Sequence, residues 1–440
     1  MTLLPEIIAA PPGPRSQELI ARLHAAEAPG LTLPGGVVWA SALGSNVVDV
    51  DGNRYIDLAA AFGVAGVGHR NPRVIAAIQA QSEQLLHGMG DVYAHETRVR
   101  LVETLASLAP IPEARVFLAG GGAEAVEIAL KTAALATGKL GVLAFSGGYH
   151  GLTFGALAPT SRPAFRAPFA GHLSPQIVRA PYPYAYRWPA AGDCGAESLA
   201  ETAQLLDRAP LPVGAVVVEA IQGREGEIVP PDGWLRGLRQ LCDERGILLI
   251  VDEIFTGWGR TGRLWAVDHD GVTPDIICVG KGMTGGLPLA ACIGRAALME
   301  HWRVSGEPLH TATFMGHPLG CAGALAAIGE LHEHDLVARC AVLGAQALAR
   351  LQAFASACPV VGEVRGRGLM IGVELVQDKR SKTPAPDRAY QVTLEAQRRG
   401  VLLLGGGMYG NVLSITPPFV ITAEQLDYAL SAIEAILAAA

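Results

Sequence analysis

The sequence predicts an α/β protein, with a large domain built on a mostly parallel sheet covered on both faces and a smaller α+β domain beside it. Three observations lead there. Runs such as "VGAVVVEA", "ILLIVDEI" and "DIICVG" are continuously apolar rather than alternating, as strands buried on both faces must be. Helix-period segments separate these runs, which is how parallel strands are joined. The chain has 440 residues, half of them apolar and only 17% charged, enough to fill a sizeable core and to divide into two domains.

Residues 1–65 are expected to contribute to the smaller domain. They are proline-rich at first, then helical from about Ser16 to Ala28, with Ser16 and the Gln17-Glu18 pair reading as a helix start. In "NVVDVDGNRYIDL", Asp51-Gly52 between two β-rich runs is a hairpin signal. Residues 66–325 form the large domain. There "NPRVIAAIQAQSEQLL" is an amphipathic helix, "RVFLAGG" a strand ending in glycines, and "AEAVEIALKTAALATG" a helix stopped by glycine. "LGVLAFSGGYHG" is a strand running into a turn, and "GWLRGLRQLCDERG" a helix between two buried strands. The texture changes to long helices after about residue 325, and residues 326–440 close the smaller domain. Their strands are "LMIGVELV" and "NVLSITPPFVIT", and their last helix is "AEQLDYALSAIEAIL".

Composition excludes several classes of function. A net charge of −7 and the lack of any Lys/Arg block argue against a nucleic-acid surface. Seven cysteines without a CxxC pair or a His/Cys cluster at ligand spacing predict no metal site and fit a reducing cytoplasm. No basic start with a long apolar stretch marks a signal peptide, and no run reaches the length of a membrane span.

Four features fall where strands of the proposed sheet end. "FLAGGGAEAVEIAL" puts glycines between a strand and a helix start, where exposed N–H groups and the helix dipole suit a phosphate. The same glycines also suit a tight turn or a dinucleotide loop. "SGGYHG" places an aromatic, Tyr149, at a strand terminus. In "LLIVDEIFTGWGRTG", Asp252 follows a buried apolar run and needs a cationic or strongly donating partner. Lys281, in "PDIICVGKGMTGGLPLAA", follows the next buried strand and has no evident carboxylate partner. One reading has it snorkel to water. The other makes it a Schiff-base lysine, whose amine must shed its proton to attack a carbonyl. One ligand accounts for all four features: pyridoxal phosphate, whose aldehyde needs an amine, ring nitrogen an acid, phosphate N–H donors and ring a flat neighbour.

With those motifs in place, the chain resembles the class III pyridoxal-phosphate aminotransferases, the ω-aminotransferases, from about "DVDGNRYIDL" to the C-terminus. "DEIFTGWGRTG" followed by "PDIICVGKGMTGGLPLAA" is the most diagnostic stretch. The resemblance implies aminotransferase fold type I with a mostly parallel seven-stranded sheet, residues 66–325 as the cofactor-binding domain, and a cytoplasmic homodimer whose active sites are shared. It also implies a transaminase that moves an amino group from a primary amine or ω-amino donor to a keto acid or aldehyde. Lys281 matches the Schiff-base lysine and Asp252 the acid on the ring nitrogen. Ile254 and Tyr149 match the residues on the two ring faces, and Gly122 and Ala123 the phosphate-binding pair. Thr313 matches a hydroxyl that reaches the phosphate from the partner subunit. Glu219 and Gln222 match polar residues near the cofactor's phenolic oxygen. His69, His150 and His317 lie near these loops and read as packing or hydrogen-bonding residues.

The departures from the family pattern concern the substrate. Gly120-Gly121 replaces a common Asn-Ser, Arg224 stands where a glutamate is expected, and Phe255 replaces a polar residue. Ser414 takes the place of the arginine that grips a substrate carboxylate, and Leu152 that of the arginine in "HGR". Both usual carboxylate forks are therefore gone. Phe62, Leu152 and Phe255 suggest a pocket for apolar or long amines, and Arg224 is a candidate to receive a keto-acid acceptor. A class III racemase or epimerase, using the same cofactor and lysine, is the alternative activity.

Overall fold

A computed structural model describes residues 3–30, 35–189 and 192–439. The first three strands are β1 (Trp39–Leu43), β2 (Asn46–Asp49) and β3 (Arg54–Asp57). The β2–β3 hairpin turns at Asp51-Gly52, where Gly52 takes φ +89°, a conformation costly to a side chain. The first helix, Pro14–Ala26, starts earlier than the sequence suggested, with Gly13 at its N-cap and a proline in its first turn. Ser16 is not the cap. It is buried, and its hydroxyl and N–H both donate to the Asp51 carboxylate, which also takes the Arg15 N–H. An acid from the hairpin turn thus caps this helix from outside it.

The large sheet contains β4 (Ala114–Ala119), β5 (Gly141–Phe145), β6 (Ile177–Ala180), β7 (Val213–Glu219), β8 (Leu248–Asp252), β9 (Ile276–Val279) and β10 (Ala290–Arg295). Its seven strands run in the order β4-β10-β9-β8-β7-β5-β6. Only β10 is antiparallel to its neighbours, so β4 points the same way as the other strands. Every residue of β7, β8 and β9 is buried, as the continuous apolar runs require.

Helices cover both faces. Gly122–Thr137 buries Ala125, Val126, Ile128 and Ala129 against the sheet and ends at Gly138 in the left-handed region. Trp234–Arg245 buries Trp234, Leu235, Leu238 and Cys242, spaced by helical turns along one side.

The register fixes the floor of a site. Glu219 of β7 pairs with Asp252 of β8, and Asp252 with Cys278 of β9, so these strand ends form one row. Lys281 lies just beyond that row, and the β4 end leads into Gly120–Gly122 on the same edge.

The remaining strands are β11 (Val361–Arg367), β12 (Met370–Leu375), β13 (Val401–Leu402), β14 (Leu404–Gly406) and β15 (Val412–Ile415). One four-stranded sheet has the order β11-β12-β15-β14, and β13 joins β3 in parallel to complete another with β1 and β2. The change of texture expected near residue 325 falls inside a helix, Pro318–Glu333. Asp335 (φ 48°) separates that helix from the next, Leu336–Ala357.

Candidate active site

A cavity of about 500 Å³ opens over the row of strand ends, a volume suited to a cofactor together with a small substrate. Asp252, only 4% exposed, takes N–H donation from Ile254 at 3.1 Å and from the His150 ring Nδ1 at 2.8 Å. The partner demanded by a buried carboxylate is therefore a histidine. His150 is itself fixed by its backbone, which donates to Thr160 Oγ1, while its Nε2 is buried without a partner. The sequence reading saw His150 as a hydrogen-bonding residue but did not link it to Asp252. The signal was its place beside Tyr149 at the end of β5, one strand beyond β7 in the sheet.

Lys281 has left-handed backbone (φ 39°), a strained arrangement that the turn after β9 imposes. Its amine opens toward the cavity but has protein around it, and that burial lowers its pKa to about 8. Nζ lies 3.9 Å from the centre of the Phe255 ring. That ring is wedged between Gly63 and Gly223, where any Cβ would come within 2.5 Å of it. Lys281 therefore does not snorkel to bulk water.

Glu219 is buried, and burial raises its pKa to about 7. Its carboxylate accepts the N–H groups of Tyr149 (2.8 Å) and Gly223 (3.1 Å), tying the aromatic loop to the floor. Tyr149 lines the cavity, and the Arg224 guanidinium lies 5.3 Å from the centre of its ring. Arg224 is exposed at the mouth of the cavity, with its guanidinium 5.3 Å from the centres of both the Tyr149 and the Phe165 rings.

Gly121 caps the helix Gly122–Thr137 with extended backbone and without a side-chain bond, which leaves the first-turn N–H groups of Gly122 and Ala123 facing the cavity. Gly122 also lets Ile254 approach, since a Cβ there would lie 2.9 Å from Ile254 Cδ1.

Phe62, Leu152, Phe255 and Ser414 all line the cavity. Phe62 is 63% exposed and sits in a turn where Ala60, Ala61 and Phe62 all have positive φ. The Asp57 carboxylate holds that turn by accepting the N–H groups of Ala59 and Ala61.

Gln222 lies outside this cavity, and Thr313, expected to act in the partner's site, is outside the cavity of its own chain. The Gln222 amide donates to the Ser146 carbonyl at 2.8 Å and faces a neighbouring cavity of about 190 Å³, because the chain reverses at Gln222 to bridge Ile228. Thr313 is on the surface, outside this cavity, where its carbonyl accepts from His87 Nε2. Arg162, Thr416 and Glu227 also line the cavity and were not expected there. Glu227, 1% exposed, takes the Ser414 hydroxyl hydrogen bond, and its Oε2 has no partner. Its signal was an acid within "GREGEIVPP", opposite the position from which the usual arginine is gone.

The donor set can be tested against pyridoxal phosphate. A lysine of lowered pKa, a buried acid held by a histidine, an uncapped helix N-terminus and apolar side chains for two ring faces are all present on one cavity. They fit that group.

The aminotransferase class-III family model matches residues 32–437. The chain belongs to the class III aminotransferases. It is 38% identical over 435 residues to the 4-aminobutyrate aminotransferase of Mycobacterium leprae, covering 97% of this chain and 96% of that one. It is 34% identical to the alanine/serine racemase of Pyrococcus horikoshii, covering 98% and 92%. Among solved structures, the PLP-bound amine transaminase of an uncultivated Pseudomonas species superimposes with a TM-score of 0.87 at 32% identity, covering 94% of this aminotransferase and 98% of that chain. The seven-stranded, mostly parallel sheet is that of fold-type I transaminases, and this aminotransferase uses pyridoxal phosphate.

Proposed function

We propose that the enzyme moves an amino group from an amine lacking an α-carboxylate to a keto acid, with Lys281 as its proton carrier. The observation that carries this reading is the convergence of Lys281, Asp252 and the Gly122–Ala123 N–H groups on a single cavity whose walls hold neither usual carboxylate fork. When bound, pyridoxal phosphate supplies an aldehyde for amines and a ring that takes up negative charge from the reacting carbon.

The residues divide the work. A pKa near 8 leaves the Lys281 amine unprotonated in roughly a tenth of molecules at pH 7, against about one in 3,000 for an ordinary lysine. Lys281 Nζ would thus be the amine that holds the cofactor and, when free, the base positioned to carry a proton to and from the amine-bearing carbon. Asp252, fixed by His150 and the Ile254 N–H, holds a proton on the ring nitrogen. Ile254 and Tyr149 pack the two ring faces, and Glu219 orders the Tyr149 loop. Gly122 and Ala123 hold the phosphate. Of the two arginines lining the cavity, Arg162 pairs with Glu225 and Arg224 makes no ion pair among the described residues, so Arg224 receives the carboxylate of the keto acid.

The working unit is a homodimer. Thr313 adjoins an exposed apolar band with Phe314, Met89 and Tyr93, a surface that a second copy would cover and from which Thr313 would reach the partner's phosphate. All seven cysteines are free and buried, in keeping with a reducing cytoplasm, and no helix among the described residues is long and apolar enough to cross a membrane.

The test has two parts. Purified protein supplied with pyridoxal phosphate shows visible absorbance that borohydride bleaches, and a panel of amines with and without carboxylates is assayed against pyruvate and 2-oxoglutarate. Turnover confined to α-amino acids overturns the substrate assignment. The racemase relative favours a second reading, racemisation with the same lysine. Loss of optical activity from one pure enantiomer without any acceptor would establish it.

A further inference from the structure

Glu227 is a carboxyl group that this mechanism leaves unused. It has left-handed backbone (φ 52°), an unusual conformation for a glutamate, held by a bond from its N–H to the Gly223 carbonyl. Its Oε1 accepts from Ser414 Oγ and its Oε2 has no hydrogen-bond partner. No lysine, arginine or histidine among the described residues lies within ion-pair distance of it.

The nearest candidate, Arg365, is only partly engaged: its Nη1 donates to Glu363 and Glu374 and its Nε to the Gly226 carbonyl, while its Nη2 is buried without a partner among the described residues and makes no ion pair with Glu227. Ser414 donates a hydrogen bond but is neutral and brings no balancing charge. Burial then drives Glu227 up to about 8, with Ser414, Arg365 and Lys281 pulling it back down. An acid buried on a cavity wall without a cation is costly unless a ligand brings the cation.

We propose that Glu227, oriented by Ser414, receives the distal ammonium of a diamine whose other amine reacts at Lys281. This rests on the aminotransferase reading and names its donor class. The apolar side chains lining the same cavity, Phe62, Leu152 and Phe255, suit the methylene chain of such a molecule. Arg224, elsewhere on the same wall, remains available for the keto acid. The two charges sort the substrates: cationic donors pair with Glu227, and anionic acceptors with Arg224.

The experiment uses the holoenzyme with pyruvate as acceptor and compares a graded series of α,ω-diaminoalkanes with monoamines of equal length. The preferred diamine exceeds its monoamine by roughly tenfold or more in kcat/KM, mostly through KM, as expected of a desolvated charge pair. In Glu227→Gln that ratio collapses, and Glu227→Asp restores part of it. Should Glu227→Gln fail to take up cofactor, Ser414→Arg serves instead, since a guanidinium facing Glu227 must also abolish the preference.

Equal use of both amines by the wild type overturns the proposal. So does a preference that survives in Glu227→Gln, because a neutral amide would then suffice. Turnover of α-amino acids without any diamine turnover sinks this assignment and leaves the aminotransferase standing. A protein that never takes up pyridoxal phosphate sinks both.

Discussion

The floor of the cavity and its outer wall are built by different means. The floor is backbone architecture: Glu219 and Asp252 are neighbours in register, Lys281 follows the adjacent strand, and Gly122 opens a helix at the same sheet edge. Its acids are satisfied, Asp252 by His150 and Ile254, and Glu219 by two backbone N–H groups. The wall comes from distant stretches, with Arg224 and Glu227 on a loop and Ser414 on β15 of another sheet. Its groups are less tied down among the described residues, since Glu227 keeps a bare oxygen and the exposed Arg224 lies against two aromatic rings without an ion pair. The floor is preorganised for a constant occupant, while the wall holds charge in reserve for a variable one.

That contrast breaks if damage to the floor costs no more than damage to the wall. The largest effect is expected from Lys281→Ala. One positioned acid–base group contributes on the order of 10²–10⁴-fold, so steady-state turnover with the best amine falls at least that far. The variant also gives no borohydride-stable attachment of the cofactor. Asp252→Asn comes next. Removing one member of a buried pair costs about 3–5 kcal/mol, and if that falls on the reaction step, kcat drops by roughly 150- to 5,000-fold. His150→Phe keeps the acid but removes its donor. A hydrogen bond to a charged group is worth about 1.5–3 kcal/mol, so kcat falls by roughly 10- to 100-fold. A His150→Phe enzyme with unchanged kcat would show that the histidine only fills space.

The floor is also where the sequence was most legible. Continuous apolar runs marked β7, β8 and β9, and a buried strand followed by Asp or Lys fixed where those side chains had to emerge. The hairpin at Asp51-Gly52 was visible because turn chemistry is local. Ser16 misled because its helix is capped by Asp51, a long-range partner that no local motif announces. Gln222 misled for a related reason: the turn that brings it opposite Ile228 swings its amide into the next cavity. Glu227 went unseen because its meaning depends on Ser414, which lies far along the chain but within hydrogen-bond reach in the fold. The absence of an arginine at 414 was read, but the acid left facing that gap was not.

The pH dependence of cofactor loading sharpens the account of the floor. Apoprotein takes up pyridoxal phosphate through an unprotonated Lys281. With a pKa near 8 rather than an ordinary 10.5, its reactive fraction rises about tenfold between pH 7 and 9 and then levels off. Stopped-flow absorbance during reconstitution measures this. A rate still climbing steeply between pH 9 and 10 would mean that the amine is solvated as in a free chain.

The smallest expected effect concerns the wall, and it separates reserve charge from structural charge. The unfolded chain releases the Glu227 proton near its ordinary pKa of 4.5, whereas the folded chain holds it to about 8. Between those values folding takes up a proton, so stability from this group is full below pH 4.5 and declines as pH rises toward 8. Glu219 and Glu253, both raised to about 7 by burial, add declines of the same sign, but they are common to the wild type and Glu227→Gln and cancel in a comparison of the two. Melted as apoproteins, the pair should match near pH 4.5, and by pH 8 the variant should melt higher by a few degrees. A saturating diamine should narrow that gap in the holoenzyme, because a cation beside Glu227 returns to the wild type what burial took away. If the two proteins melt together at every pH, Glu227 is already neutralised within the fold and holds no charge for a substrate.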